Sequence, residues 1–360
     1  KEYRRQRQMC IRDRPYLGTL DLYVYRAGCW SVSASSTSIG DNRMTQPSHR
    51  GRLLLKVGAI LTTVTLLVAG CARAENPEKQ GSGQAGESRV ASVGLGDADT
   101  LLALGVQPVL VAPWGAEGDV ADSGVGPWSE DLLKGDNPKK VFNVASGFTA
   151  DVLEKISAAD PSEIIAVNQA VDSQAKEALE AIAPTTVKPE GTKDWQVPWR
   201  DQVRQIAGAV EKESEGEQLI KDAEKSFEDF KKKHRELAGK KAAIVMPYEG
   251  KIGLYTSGDG RGQFIESLGF KIPKSLEGEK GEFYRDIAPE NYKLLNDVDY
   301  LFVLDYQGAA EKLRKDPTFS GLQVVKKGKV RWLSQDTGNA MSMPNPVTIP
   351  WAVDQVDAAL

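Results

Sequence analysis

From Ser88 onward, short apolar runs alternate with segments whose apolar residues recur every three or four positions. Strands are predicted for the short runs, which include RVASVG, QPVLVAP, KVFNVA, SEIIAVN, KAAIVMP and DYLFVL, because turn-forming residues bound most of them. Helices are predicted for the periodic segments, among them DADTLLALG, FTADVLEKISAAD, GRGQFIESLGF and APENYKLLND. The first of these helices should be capped by Asp97 and ended by Gly105. Strands that alternate with helices indicate an α/β fold with mostly parallel sheets covered on both faces.

One long charged segment interrupts this alternation, because residues 198–238 contain no predicted strand. Its apolar residues recur at helical spacing: Leu219, Ile220, Ala223, Phe227, Phe230 and Leu237. A helix over Lys212–Ala238 would be roughly 40 Å long, at about 1.5 Å per residue. One apolar stripe on an otherwise polar helix predicts a strut packed along one side of two lobes. The predicted architecture is therefore two doubly covered α/β lobes joined by one long backbone helix.

The segment before Cys71 has the pattern of an export signal. Basic residues precede an apolar stretch over residues 57–70, and fewer than about eighteen apolar residues do not comfortably span a bilayer. The small residues Ala69 and Gly70 precede Cys71, which resembles a bacterial lipobox. That resemblance implies cleavage before Cys71 and a diacylglycerol group on its sulfur. An ordinary signal peptide with a chance cysteine is the alternative.

Residues 1–43 precede the start of this signal and are predicted to be non-native upstream read-through. The polar segment 74–87 is predicted to be a flexible tether. The predicted division is an upstream segment 1–43, a signal peptide 44–70, a lipidated cysteine with its tether 71–87, a first lobe 88–206, a connecting helix 207–238 and a second lobe 239–360.

Composition excludes several classes of function. The chain has 360 residues, a net charge of −4 and no sustained Lys/Arg stripe, so a nucleic-acid partner is not expected. No cysteine follows Cys71, and the histidines are His49 in the leader and His234, which we expect to be solvated. The body therefore lacks the residues for a zinc site, a Cys–His nucleophile or a Ser–His–Asp triad. We expect no catalytic residue, no metal ligand and no cofactor.

Aromatic and basic residues in predicted loops are the candidate ligand contacts. Tryptophans lie near predicted strand ends or in loops at Trp114, Trp128, Trp195 and Trp199, and Trp332 lies in the strand KVRWL. Carboxyl ends of parallel strands are where α/β proteins bind ligands, so these positions favour an aromatic-walled cleft. The loop YTSGDGRGQF brings Tyr255 and Arg261 to one mouth. Arg261 either binds an anionic ligand or forms an ion pair with Asp259 or Glu266, and Arg200 presents the same choice.

Five segments, VGLGDADTLLALGVQPV, VLEKISAADPSEIIAV, YTSGDGRGQFIESLGF, IAPENYKLLNDVDYLFV and SMPNPVTIPWAVDQV, occur in this order over Ser88–Leu360. Together they resemble the helical-backbone (class III) substrate-binding proteins of ABC importers, and especially the branch that binds ferric siderophores. The chain departs from the family at Pro161-Ser162, where Pro-Asp is usual. The last helix stops at Leu360, earlier than the resemblance implies, so a truncated C-terminus is expected.

The resemblance implies capture of a ferric-siderophore complex between the lobes and delivery to a permease and its ATPase. The protein would act as a monomer, held by its lipid anchor at the extracytoplasmic face of the cell membrane. The expected ligand contacts are Trp114, Tyr255, Trp332, Arg200 and Arg261, with Tyr248, Tyr306 and Met341 in second rank. Glu154 and Glu290 occupy the places from which family members dock to the permease.

Two alternatives stay open. A haem or corrinoid ligand is one, with Tyr248 or Tyr255 as a possible iron ligand in haem. A surface interaction protein is the other.

Overall fold

The computed structural model describes residues 88–115, 117, 120–279 and 282–360, which all belong to one compact unit. The upstream segment, the predicted signal peptide, Cys71 and the predicted tether lie outside the described residues. Among the helices that the structure describes, none combines the length and the apolar character needed to cross a membrane.

The first lobe is built on a parallel five-stranded sheet with the order β3-β2-β1-β4-β5. Its strands are β1 (Val90–Ser92), β2 (Pro108–Val111), β3 (Lys139–Lys140), β4 (Glu163–Ala166) and β5 (Thr185–Val187). The two central strands, β1 and β4, are fully buried over most of their length, and helices cover both faces of the sheet. A strand buried on both faces is apolar at nearly every position, which is why the sequence runs were readable as strands.

Three helices of this lobe follow the strands as predicted: α1 (Asp97–Ala103), α2 (Ala150–Ser157) and α3 (Ser173–Glu180). A fourth helix, α4 (Trp199–Ala209), was not predicted, and the expectation that Trp199 lies in a loop is wrong, because Trp199 is its first residue. Thr149 caps α2 by accepting a hydrogen bond from Val152 N, and Asp172 caps α3 in the same way. The predicted cap of α1 is wrong: Gly96 occupies that position with φ near 73°, and Asp97 is already helical with its carboxyl group buried.

The backbone helix is α5 (Glu213–Lys233), whose 21 residues span roughly 32 Å. Its buried stripe of Ile220, Ala223, Phe227 and Phe230 matches the predicted periodicity. The helix ends before the predicted Ala238, and a 3₁₀ turn follows over Arg235–Leu237. At the C-terminal end of α5, His234 contacts a residue that is distant in the sequence.

His234 leaves the helical conformation and hydrogen bonds through Nε2 to Asp357 at 2.6 Å. Its ring also packs against Phe230, with 4.7 Å between ring centroids. The expectation that His234 is a solvated helical residue is therefore wrong, because a partner distant in sequence covers it.

The second lobe has a mixed sheet with the order β10-β9-β6-β7-β8. Its strands are β6 (Ala242–Tyr248), β7 (Lys251–Tyr255), β8 (Tyr284–Ile287), β9 (Tyr300–Leu304) and β10 (Val330–Leu333). β6, β9 and β10 are parallel, whereas β7 is antiparallel to both β6 and β8. The turn between β6 and β7 places Glu249 and Gly250 at positive φ, which is the geometry of a tight hairpin.

Helices cover both faces of this second sheet. They are α6 (Gly260–Ser267), α7 (Ala309–Arg314), α8 (Pro317–Ser320), α9 (Gln323–Lys326), α10 (Gln335–Ser342) and α11 (Thr348–Ala359). The predicted helix APENYKLLND is instead a 3₁₀ helix over Pro289–Asp297. The backbone helix α5 packs with α6, α10 and α11 on one face, and the 3₁₀ helix packs with α7 and α8 on the other. The predicted fold, two α/β lobes on one long helix, is confirmed, while the residue boundaries of the lobes stay a prediction.

Candidate functional site

A groove of about 770 Å³ lies between the two lobes. The first lobe lines it with Lys193 and Gln196, and the second lobe with Thr256, Ser257, Gly258, Glu277, Gly278 and Glu279. A second hollow of about 510 Å³ lies on the first lobe alone, lined by residues 145–147 and 170–172 with Lys188 and Asp194. Lys193 and Asp194 are neighbours in the chain, so one segment of the first lobe takes part in both hollows.

The sheet of the first lobe positions its side of the site. Residues 145–147, 170–172 and 188 follow β3, β4 and β5, so they lie at the carboxyl edge of parallel strands. This edge is the usual ligand-binding edge of such sheets, because the strand ends there diverge into loops. Lys188 forms an ion pair with Asp194, which joins the two ends of the segment 188–194 that follows β5.

The wall of the second lobe is fixed by hydrogen bonds within its loops. Ser257 donates to Glu277 Oε2 from both its backbone N (3.2 Å) and its Oγ (3.1 Å). Thr256 Oγ1 donates to the backbone carbonyl of Glu282. Gly262 lets α6 approach this loop closely, because a Cβ there would lie 1.9 Å from Thr256 O. The wall is therefore largely preformed.

Tyr255 and Arg261 come together as predicted, next to this wall. The Arg261 guanidinium lies 4.3 Å from the centroid of the Tyr255 ring, and its Nη1 is 3.1 Å from both carboxylate oxygens of Asp259. The side chains of Arg261 and Asp259 are only 11% and 12% exposed. Burial raises the pKa of Tyr255, while the charge of Arg261 opposes this rise. Of the two alternatives for Arg261, the structure shows the ion pair with Asp259.

Trp114 reaches across from the first lobe to the second. It follows β2 at the carboxyl edge of the sheet, is 41% exposed, and donates from Nε1 to Asn339 Oδ1 at 3.1 Å. Asn339 belongs to α10. The indole thus bridges the lobes and is partly exposed, but it is not among the residues that line the groove, so its contact with a ligand stays a prediction.

Two buried aspartates lie at the start of α1, and one of them, Asp99, joins the first lobe to the second. Asp99 Oδ2 accepts from Asn345 Nδ2 of the second lobe at 2.9 Å, and its Oδ1 accepts from Ser129 Oγ at 2.6 Å. Asp97 accepts from Val167 N at 2.7 Å and from Gln202 Nε2 at 2.6 Å. Burial raises the pKa of both carboxyl groups, that of Asp97 to about 7. Sequence reasoning missed this pair, because aspartates at a helix start are typical caps.

Tyr248 lies on the hairpin between β6 and β7, and its hydroxyl donates to Asp286. The Lys251 ammonium lies 4.7 Å from the centroid of its ring. Burial and the Asp286 carboxylate together raise the pKa of Tyr248 to about 12. Tyr306, which follows β9, is half-buried, and its charge when ionised adds to the raised pKa of Tyr255.

Three other predicted contact residues lie elsewhere. Trp332 packs against Phe319 on the face of the second sheet opposite α5, with the Arg314 guanidinium 4.0 Å from its ring centroid. Met341 is fully buried in the core beside α5. The Arg200 Nε donates to Glu224 Oε1 of the backbone helix at 2.5 Å. The structure does not bring these three side chains to the groove.

Glu154 and Glu290, the predicted docking residues, are both exposed on helices of different lobes. Among the described residues there is no group of three or more His, Cys, Asp or Glu side chains that could hold a metal ion. Cys71, the predicted lipidation site, lies outside the described residues.

Comparison with known proteins places this architecture in a family. The family described as periplasmic binding protein matches residues 90–337, which is most of the chain. A crystal structure of a periplasmic solute binding protein from Mycobacterium smegmatis shares 28% identity over 76% of this chain and 91% of its own, with a TM-score of 0.67.

Two further relatives are named for what they bind. The structure of PiaA from Streptococcus pneumoniae in complex with ferrichrome shares 30% identity over 76% of this chain and 92% of its own, with a TM-score of 0.61. A probable siderophore-binding lipoprotein of Bacillus subtilis, YfiY, is 30% identical over 58% of this chain and 61% of its own length. The match over residues 90–337 and the architecture of two lobes on one backbone helix support the same assignment. The chain belongs to the periplasmic binding protein family.

Proposed function

We propose that this protein is the substrate-binding component of an ABC importer and captures a ferric-siderophore complex in the groove between its lobes. The observation that carries the proposal is the groove itself, with Lys193 and Gln196 on one side and the Thr256–Gly258 segment on the other. Its volume of about 770 Å³ is within the usual range of roughly 300–1,000 Å³ for small-molecule sites.

Relatives support this ligand class. PiaA binds ferrichrome in its crystal structure, and YfiY is described as siderophore-binding. A chelated ion brings its own oxygen ligands, so the protein needs to supply shape, aromatic surface and hydrogen bonds. Family membership likewise supports a protein that binds and releases its ligand without a catalytic step.

The site changes little on binding in this proposal. The hydrogen bond between Asp99 and Asn345 fixes the junction of the lobes, and the bonds from Ser257 to Glu277 fix one wall. A preformed site loses less conformational entropy when it binds, which favours affinity. We expect small shifts of side chains, with little movement of the backbone.

Export and docking complete the proposal. Cys71 would carry the lipid that holds the protein at the extracytoplasmic face of the membrane, as in a lipoprotein relative. Glu154 and Glu290 would meet the permease, since each is an exposed carboxylate on a helix of its own lobe.

Haem ligation by tyrosine gains no support from the candidate side chains. An iron-bound tyrosine is deprotonated, but the pKa of Tyr248 is raised to about 12 and that of Tyr255 is raised by burial. Both effects disfavour the tyrosinate that would bind the metal.

Tryptophan fluorescence of the purified protein tests the proposal. Titration with ferrichrome and ferrioxamine B should quench the emission saturably at micromolar concentration or below. The iron-free chelators and haemin are the controls and should respond weakly. No response to any iron complex, or a Soret shift with haemin that a Tyr255→Phe change removes, would contradict the proposal.

A further inference from the structure

We propose that the groove selects uncharged or cationic ferric complexes, such as those of hydroxamate chelators, and that Glu277 and Glu279 disfavour anionic ones. This inference rests on the proposed function, because it concerns which complexes enter the same groove. It assigns a specificity role to two residues of the second lobe.

Charges of the described residues around the two hollows carry the inference. The groove is lined by one lysine, Lys193, and by the carboxylates of Glu277 and Glu279. The neighbouring hollow adds Lys188 with Asp172 and Asp194. Two lysines and four carboxylates leave a net charge of −2.

Two basic residues near the groove, Lys188 and Arg261, are already paired within the protein. Lys188 forms an ion pair with Asp194, and Arg261 lies against Asp259 in a largely buried pair. A cationic side chain that is paired with a carboxylate of its own protein presents a weaker positive electrostatic potential to a ligand. These cations therefore do not make the groove an anion site.

Glu277 is held where its charge acts on the groove. Its Oε2 accepts both hydrogen bonds from Ser257, which is itself a lining residue. The charge of Glu277 also contributes to the raised pKa of Glu266, after the larger effect of burial. Glu279 is exposed on the same wall two residues further on.

Ferric chelates differ widely in charge. Three hydroxamates neutralise Fe³⁺, and a free amine on the chelator makes the complex cationic. Three catecholates leave the complex with three negative charges. In a solvated groove, one unit charge some 8 Å from another changes affinity by roughly three- to tenfold, and less at high salt. An anionic complex should therefore bind more weakly than an uncharged one of similar size.

The test uses the full-length protein in detergent and three probes that differ in charge. Ferrichrome is uncharged, ferrioxamine B carries a positive charge, and a ferric tris-catecholate is anionic. Dissociation constants are measured at 20 mM and 300 mM salt for the wild type, Glu279→Gln and a Glu277→Gln/Glu279→Gln double variant. Glutamine at 277 keeps an oxygen that can accept from Ser257. The matched control is Glu311→Gln, which removes a carboxylate from α7.

In the wild type, both hydroxamate complexes should bind at least tenfold more tightly than the tris-catecholate at low salt. The double variant should bind the tris-catecholate three- to tenfold more tightly and ferrioxamine B more weakly by a similar factor. Glu279→Gln should change the dissociation constants of the tris-catecholate and ferrioxamine B in the same directions by a smaller factor. Glu311→Gln should change neither dissociation constant.

Equal or tighter binding of the tris-catecholate by the wild type would overturn the charge selection while leaving the proposed function intact. Dissociation constants of the tris-catecholate and ferrioxamine B that stay at their wild-type values in both Gln variants would overturn the role of Glu277 and Glu279. Absence of binding by all three complexes would overturn the proposed function, and this inference with it.

Discussion

Asn345 Nδ2 donates a hydrogen bond of 2.9 Å to Asp99 Oδ2, and this contact joins the second lobe to the first. Both side chains are buried, and Asn345 Oδ1 also accepts from the backbone N of Val347 and Thr348 at the start of α11. One amide thus caps a helix and satisfies a buried carboxyl group. The two lobes are held by a polar contact that water does not reach.

Asn345→Ala should destabilise the protein by about 2–4 kcal/mol, because it removes a helix cap and leaves the buried Asp99 carboxyl group without one of its donors. Urea unfolding followed by circular dichroism measures this change. The matched variant is Asn339→Ala, which removes the other amide that contacts the first lobe, at the exposed Trp114. It should cost less than about 1 kcal/mol. Equal losses of stability in the two variants would show that the contact of Asn345 with Asp99 stabilises the protein no more than the contact of Asn339 with Trp114.

Stability should fall as pH rises from 5 to 8. Burial raises the pKa of Asp97 to about 7, whereas an aspartate in an unfolded chain titrates near about 3.9. Between these values the folded protein keeps a proton that the unfolded chain has released, so higher pH favours unfolding. The expected loss is about 2–3 kcal/mol between pH 5 and pH 7, with little further change above pH 7 from this group.

Denaturant unfolding at several pH values measures this slope. The raised pKa of Asp99 acts in the same direction. Asp97→Asn has no proton to lose at that position, so its slope should be smaller than that of the wild type. A wild-type stability that rises between pH 5 and pH 8, or an Asp97→Asn slope equal to that of the wild type, would contradict the assignment.

Trp114→Phe should weaken the binding of ferrichrome by roughly three- to tenfold, because phenylalanine offers less aromatic surface and no N–H for Asn339. It should also remove much of the fluorescence quenching. Isothermal titration calorimetry measures the affinity independently of fluorescence. Trp332→Phe is the control, since that ring packs against Phe319 and Arg314 on the opposite face of the sheet. Weaker binding of ferrichrome by Trp332→Phe, with unchanged binding by Trp114→Phe, would contradict our assignment of Trp114 as the ligand contact.

Glu154→Ala and Glu290→Ala should each reduce uptake of a radioactive ferric complex by cells or proteoliposomes that carry the cognate permease. The double variant should reduce uptake further. Neither residue lines the groove, so the dissociation constant of the complex should stay within about twofold of the wild-type value. Glu311→Gln, on another exposed helix, is the control for loss of surface charge. Normal uptake by the double variant would contradict the docking role.

Periodicity predicted most of the architecture because the strands and the backbone helix bury apolar residues at regular spacing. The stripe on α5 from Ile220 to Phe230 is one example. The strand β7 was missed because its turn is Glu249-Gly250, which is a weaker hairpin signal than Asn-Gly or Asp-Gly. The helix α10 was missed because its sequence, QDTGNAMS, contains poor helix formers.

Tertiary contacts supply what the local sequence of α10 does not. Ser334 Oγ accepts from Thr337 N at its start, and Gly338 lies so close to the core that a Cβ would be 3.0 Å from Leu304 Cδ1. Glycine thus allows close packing against Leu304 at a position where it disfavours the helix. The close approach of Gly338 to Leu304 could not be predicted from the sequence pattern.

The candidate site was only partly predictable. A loop with Tyr255 and Arg261 close in sequence brings the two together by short-range geometry, and the structure shows this pair. Trp114 and Trp332 both lie near strand ends, but which face a strand residue occupies depends on the packing of the whole sheet. Asp97 was predicted to be a helix cap, because an aspartate at a helix start has the same sequence pattern whether it caps the helix or is a buried carboxyl group.

Anomalous X-ray diffraction at the iron absorption edge, from crystals of the protein grown with ferrichrome, tests the central claim most directly. We expect one dominant iron peak in the groove, between Lys193 and Gln196 of the first lobe and the Thr256–Gly258 segment of the second, with all oxygen ligands supplied by the chelator. An iron atom bound outside the groove, or bound by a side chain of the protein, would contradict it.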